Sequence, residues 1–222
     1  MWCSKRKAMN SKNNEAPELD IMSLLGAIIP QGKKQKMMLP FGGSSTNIYT
    51  IDNNIYFQND IDYDTISELN REMREMNQRL LEMSRSYKIE PPPIKLHLTT
   101  HGGMVHAALS AIDCINELEV EVHTIIDGYV ASAGTLISVC GSRRYMKKNA
   151  TMLIHQLRSE LWGKMSEIED EMKNLKKMSE DIKTIYEENT NLRRCDLSKI
   201  LKHDINWDAN TCLEKGLIDE IL

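Results

Sequence analysis

The sequence predicts an α/β fold built from parallel strands and crossover helices. Three observations carry that expectation. Short β-branched runs alternate with stretches of helical length from residue 94 to residue 154. A glycine-containing turn follows two of the strand-like runs, and a long amphipathic stripe stands on each side of this central region. Taken in order, Ile48 to Phe57 is rich in Ile and Tyr and reads as short strands. Ile66, Leu69, Met73, Met76, Leu80, Met83 and Tyr87 then recur at steps of three and four. They form one apolar stripe on a helix of about six turns, capped by Asp62 or Asp64 and packed on a sheet. Pro91-Pro92-Pro93 ends it.

Ile94 to Leu98 is a strand with Ile94, Leu96 and Leu98 pointing inward, broken by Gly102-Gly103 and followed by a small-residue helix from about Met104 to Leu118. Val120 to Ile126 is a β-branched strand that ends at Asp127-Gly128, before a second small-residue helix from about Ser132 to Cys140. Arg144–Met146 and Met152–Ile154 read as strands, and this order implies right-handed parallel crossovers. Met165, Ile168, Met172, Leu175, Ile182 and Ile185 share one face of a second long helix, with Met178 beside it. That face is more apolar than a lone core of this size requires, which marks a subunit contact. Asp196 is placed to cap a short helix to Lys202, and Asp208 another closed by Gly216 before a last strand at Leu217–Leu222.

Residues 1–46 have a different texture. They mix Lys5, Arg6, Lys7 and Lys12 with Ser and Asn, show no period, and end in the joint Phe41-Gly-Gly-Ser-Ser-Thr46. The expectation is a flexible or docking N-terminal arm over 1–46 and one compact domain over 47–222. A net charge of −4 argues against a surface built to neutralise nucleic-acid phosphates. Five cysteines, an odd number with no CxxC pair, argue against a disulfide framework and a thiolate zinc site, and for a reducing, cytoplasmic setting. No apolar run approaches the ~20 residues of a membrane span. The longest candidate, Ile21 to Ile29, is too short and badly flanked for a signal peptide.

In parallel α/β sheets, reactive groups gather at the carboxyl ends of strands. Two such loops stand out. Thr99-Thr100-His101-Gly102-Gly103 lets backbone N–H groups approach a ligand without an intervening Cβ. Gly128-Tyr129-Val130-Ala131-Ser132-Ala133-Gly134 places a serine at a strand-to-helix turn, where free N–H groups favour developing negative charge. Serine at a helix start is ordinarily an N-cap, so this arrangement alone is a weak sign of an acyl-transfer site. A base is available in Met152-Leu153-Ile154-His155-Gln156, and an acid in Lys202-His203-Asp204-Ile205. Each has a plain alternative: His155 as a satisfied core histidine, Asp204 as a cap of the turn near Asn206.

These motifs together resemble one family, the Clp protease proteolytic subunit (ClpP), a self-compartmentalising serine peptidase. TTHGGMV at Thr99–Val105 resembles the family's N-S-P-G-G-x-[IV] loop, and GYVASAGT at Gly128–Thr135 its nucleophile loop. MLIHQ at Met152–Gln156 resembles its histidine motif, and DINWDANTCLEKGLID at Asp204–Asp219 its closing motif, with Asp204 twelve residues before Gly216. The resemblance runs from about Asn47 to Leu222. It implies a ClpP/crotonase-like fold in which the helix after His155 is a protruding handle. Ser132 would be the nucleophile, His155 the general base and Asp204 the acid, with the N–H groups of Gly103 and Ala133 as the oxyanion hole. It implies two seven-membered rings stacked into a fourteen-subunit barrel, fed protein or peptide substrates by an AAA+ unfoldase. ATP would be used by that partner, and no cofactor is expected in this chain, which has no Walker motif and no HExxH.

The departures are specific. His101 replaces the family's proline, and Ile205 stands where an arginine usually helps join the rings. The glycine-rich strand after the histidine reads here as Leu157-Arg158-Ser159-Glu160-Leu161-Trp162-Gly163. His97, His101 and His106 fall on a strand, a loop and a helix with no shared face, so no metal site is expected. Three alternatives stay open: a head-maturation protease of the same fold acting without an ATPase, a crotonase-type acyl-CoA enzyme, and a non-catalytic ring subunit. The joint presence of Ser132, His155 and Asp204 weighs against the last two.

Overall fold

β1 (Ile48–Ile51) and β2 (Asn54–Phe57) run antiparallel through a turn at Asp52, and with them begins the part of the chain, residues 47–222, that the computed structural model describes. The expected arm over residues 1–46 lies outside the described residues.

α1 (Tyr63–Tyr87) starts where the sequence places it. Asp62 is the cap: its carboxylate accepts from the Thr65 N–H at 2.8 Å, and the Thr65 hydroxyl oxygen accepts from the Asp62 N–H. Donation from the Thr65 N–H, and from the Thr65 hydroxyl, to its carboxylate holds the Asp62 carboxyl below its usual range. Ile66, Leu69, Met73, Met76 and Leu80 are buried, but the stripe stops short of Tyr87, which is exposed. The last turn runs past the core and ends at Lys88 in the left-handed conformation.

The central strands are β3 (Ile94–Thr100) and β4 (Val122–Ala131), linked by α2 (Val105–Glu117) and paired in parallel. Ile94, Leu96 and Leu98 are fully buried, as the alternation predicts. α3 (Ala133–Val139) leads to β5 (Arg143–Met146) and β6 (Thr151–Leu153), and with the last strand, β8 (Glu220–Ile221), the sheet order is β1-β2-β3-β4-β5-β8. The expected break at Asp127-Gly128 is corrected: β4 runs straight through it. The strand changes neighbour there, pairing with β5 over His123–Ile126 and with β6 over Tyr129–Ala131. A strand that gains a second partner has its backbone satisfied beyond the glycine and need not end. This carries β4 outward to Ser132.

α4 (Met165–Asn189) buries only Ile182 and Tyr186. The predicted face is thus corrected in its last turn, where Tyr186 and not Ile185 is the fully buried residue. Met165 and Met172 are exposed at 73% and 42%, so most of this helix is an unburied projection. α5 (Arg194–Ile200) is capped by Arg193, and Asp196 sits inside its first turn bonded to Arg193, so Asp196 is not the cap. β7 (Asn206–Asp208) pairs antiparallel with β6, and Asp208 caps α6 (Ala209–Glu214) as expected. The final strand β8 is only Glu220–Ile221, because Leu217 and Ile218 turn into the core instead.

Arg144 clamps this end of the fold. Its guanidinium donates to both Asp219 carboxylate oxygens, at 2.5 and 3.1 Å, and to the Gly216 carbonyl at 2.8 Å. Those bonds hold the Asp219 carboxyl below its ordinary value of 3.8. A depressed carboxylate stabilises the fold above its unfolded pKa, and that contribution disappears as pH falls through the lower folded value. Asp219→Asn should therefore reduce stability by about 1 kcal/mol at neutral pH, with the difference from the parent vanishing in acid. Thermal melts at pH 7 and below pH ~3 check it.

Candidate active site

Ser132 follows the last residue of β4 with φ 54° and ψ −125°, a conformation that costs a side-chain-bearing residue about 1–3 kcal/mol. The surroundings hold it there. Its N–H donates to Leu153 O at 2.9 Å, and its carbonyl accepts from the Thr135 N–H at 3.0 Å and the Thr135 hydroxyl at 2.6 Å. Thr135 has one hydroxyl proton, already given to Ser132, so the 2.5 Å contact with Tyr186 has the tyrosine donating. Burial pushes the Tyr186 hydroxyl pKa strongly upward, which keeps that proton in place. The Ser132 side chain itself caps nothing. That removes the N-cap reading and leaves a strained strand-to-helix turn presenting a free hydroxyl, the geometry of a nucleophile elbow.

The Gly-Gly loop lies directly against this turn. A Cβ on Gly102, at φ 94°, would sit 2.6 Å from Ser132 Cβ and 2.7 Å from Ala131 O, so only glycine fits. Ile61 straps the loop, its N–H donating to Gly102 O and its carbonyl accepting from the Met104 N–H, both at 2.8 Å. Between these two bonds the Gly103 N–H has no acceptor among the described residues. Ala133 is the first residue of α3, so its N–H has no intrahelical acceptor either.

Gly103, Ser132, Ala133 and His155 all line one cavity of about 220 Å³. Its apolar wall is formed by Val105, Leu136, Ile182 and Tyr186. His155 is placed by β6 and by the next residue, whose N–H donates to Leu201 O at 2.7 Å. Asp204 does not join the group. It is exposed beyond α5 and pairs with Arg158, a residue that also lines the cavity. Meanwhile Nδ1 of His155 is buried without a hydrogen-bond partner among the described residues. An orphaned buried nitrogen costs about 1–3 kcal/mol, whereas an exposed ion pair contributes about 0–1. Four of the five expected site residues are thus assembled and the acid stands apart.

Two contributors were not singled out from the sequence, Thr135 and Tyr186; the only local signal was Tyr186 four residues after Ile182 on the buried stripe. Tyr186→Phe should lower peptide turnover about three- to tenfold with little change in KM, since it removes a roughly 1 kcal/mol bond supporting the turn but leaves the apolar wall. Steady-state kinetics on a short peptide test this.

The three histidines weighed as a metal set are separate. His97 bonds Asp127 at 2.8 Å and Asn54 at 3.2 Å, His101 packs on Tyr129, and His106 is exposed on α2. Among the described residues no three His, Cys, Asp or Glu side chains are grouped to hold a metal, and no helix is long and apolar enough to cross a membrane.

The sequence profile of the Clp protease family matches residues 44–222. The chain belongs to that family. This Clp protease chain is 33% identical over 156 residues to an ATP-dependent Clp protease proteolytic subunit 2 from Treponema denticola, covering 69% of the chain and 78% of the relative. It is 32% identical over 133 residues to the ATP-dependent Clp protease proteolytic subunit of Streptococcus mutans (58% and 68% covered) and 33% identical over 133 residues to that of Lactococcus lactis (58% and 67%). As a Clp protease family member it is a serine peptidase of α/β fold.

Proposed function

We propose that this chain is the proteolytic subunit of a compartmentalised protease, with Ser132 as nucleophile, His155 as general base and Asp204 as the orienting acid. The observation that carries the reading is the strained, uncapped Ser132 sharing one cavity with His155 and the free N–H groups of Gly103 and Ala133. A peptide carbonyl set on those two donors is attacked by the Ser132 oxygen while His155 takes the hydroxyl proton. The tetrahedral oxyanion is stabilised by the two N–H groups. Collapse passes the proton from His155 to the leaving amine, and water repeats the sequence on the acyl-enzyme. Asp204 would fix the imidazole tautomer and balance its charge. The apolar wall suits an apolar side chain beside the scissile bond.

The unburied face of α4 supports self-assembly, which by the family resemblance would be into seven-membered rings and a fourteen-subunit barrel. The words ATP-dependent in the relatives' names support an ATP-consuming partner. In this reading it is an AAA+ unfoldase, and the setting is the cytoplasm expected from the cysteine usage. The proposed mechanism calls on no cofactor, nucleic acid or membrane. An enclosed chamber makes a clear experimental demand: the isolated protein should cleave short peptides slowly and a stable folded protein not at all. Replacing both Ile168 and Met172 with Glu should dissociate the particle and lower peptide cleavage at least tenfold, since each charge would have to be buried in the contact. Sedimentation alongside assays of both substrates decides it. Rapid digestion of a folded protein by a monomer would overturn the chamber and favour a processing protease acting without an ATPase.

A further inference from the structure

We infer that Arg158 is a positioning residue that holds Asp204 away from His155, so that the site switches on when this one carboxylate is handed from the guanidinium to the imidazole. The inference rests on the assignment of Ser132, His155 and Asp204 proposed above. Two independent observations point to it. The Asp204 carboxylate is engaged by Arg158, and the buried Nδ1 of His155, the atom an orienting acid has to meet, has no partner among the described residues. Both partners compete from the same cavity, since Arg158 and His155 lie three residues apart along its lining.

The chain segments allow the exchange. Arg158 follows β6 in a stretch without regular structure, and Asp204 lies in the short irregular stretch between α5 and β7. The flanking backbone is anchored: the Gln156 N–H is bonded to Leu201 O, three residues before Asp204. The carboxylate is therefore tethered within three residues of a point bonded to the histidine's own segment, and a change of side-chain rotamer with movement of this irregular stretch would separate the two states. The side chains of Arg158 and Asp204 are 71% and 48% exposed, so their attraction is weak and screened by salt. Moving Asp204 to the buried nitrogen removes the orphan's cost but desolvates a half-exposed carboxylate, so the held and released states lie close in energy. Any carboxylate that draws Arg158 away, on a substrate or on a second copy of the chain, would release Asp204 toward the base.

The test uses the full chain, a short fluorogenic peptide and low ionic strength. Arg158→Gln should raise kcat about two- to fivefold, the range an exposed ion pair supports. Arg158→Lys, which keeps the charge, should stay nearer the parent. The decisive arm is the double variant: with Asp204→Asn already present, Arg158→Gln should give no gain. Raising salt from ~0.02 M to ~0.3 M should activate the parent and leave Arg158→Gln flat. Proton NMR of the unmodified chain, with its histidines 15N-labelled, should show a downfield His155 Nδ1–H signal growing with salt and missing in Asp204→Asn. An unchanged kcat in Arg158→Gln, or a gain that survives in the double variant, would overturn the inference. Retained hydrolysis by Ser132→Ala would be a different failure, removing the site assignment and the inference with it.

Discussion

Ser132→Ala should reduce peptide hydrolysis by about six orders of magnitude, the scale on which loss of a serine nucleophile registers when base and oxyanion donors remain. The expected silence on folding is as informative. Alanine keeps the Cβ that Gly102 packs against, and both residues pay the same strain at φ 54°. The bonds that hold the turn, from Ser132 N–H to Leu153 O and from Thr135 to Ser132 O, are made by the backbone and survive. The variant should therefore sediment and melt like the parent while losing labelling by a serine-acylating probe. Hydrolysis near the parent rate would exclude Ser132 from the chemistry.

Asp204→Asn should cost three to four orders of magnitude in turnover, about 4–5 kcal/mol of transition-state stabilisation, by presenting the imidazole with a group that selects the wrong tautomer and carries no charge. It should have little effect on stability. The ion pair it removes is exposed, and no buried group loses a partner. A large kinetic effect with an almost unchanged melting temperature is the signature that separates an acid in the site from a surface carboxylate. The control is Asp208→Asn, four residues on, whose carboxylate caps α6. It should affect stability more than rate. Were Asp204→Asn nearly silent and Asp208→Asn severe in turnover, the acid would have been misplaced.

The parts of this site legible in the sequence are those whose signal is local. Gly102-Gly103 and Ser132 announce themselves because a tight approach and a strand-to-helix turn demand small residues at adjacent positions. His155 is found at the end of a short apolar strand, and α1 by its period, down to the Asp62 cap. Relations across the chain were hidden. β4 passes through Gly128 only because β6, more than twenty residues later, supplies a second partner. Tyr186 reaches Thr135 across 51 residues, and Arg158 reaches Asp204 across 46. No periodicity encodes such pairings, and a lone arginine in a polar stretch looks like any solvated charge. The Asp196 cap failed for a similar reason: a carboxylate within the first turn satisfies the same dipole as one at the cap, and here Arg193 occupies the cap position.

α4 also has a mechanical consequence. At 1.5 Å per residue the stretch from Ile168 to Ile182 is a rod of about 21 Å, fixed to the body near Ile182 and Tyr186, held more lightly at Met178 and Glu180, and largely exposed toward Met165. A rod anchored at one end is a lever. Tilting it by about 5° would sweep the outer end through ~2 Å, while atoms one turn from the pivot would travel only ~0.5 Å. A displacement that small at the Tyr186 hydroxyl takes the 2.5 Å bond to Thr135 to about 3.0 Å, from the short to the long end of the O–H···O range. Movement imposed where the helix is free is thus reduced about fourfold before it arrives behind the nucleophile, and a coarse rearrangement far outside becomes a fine adjustment of the bonds behind Ser132.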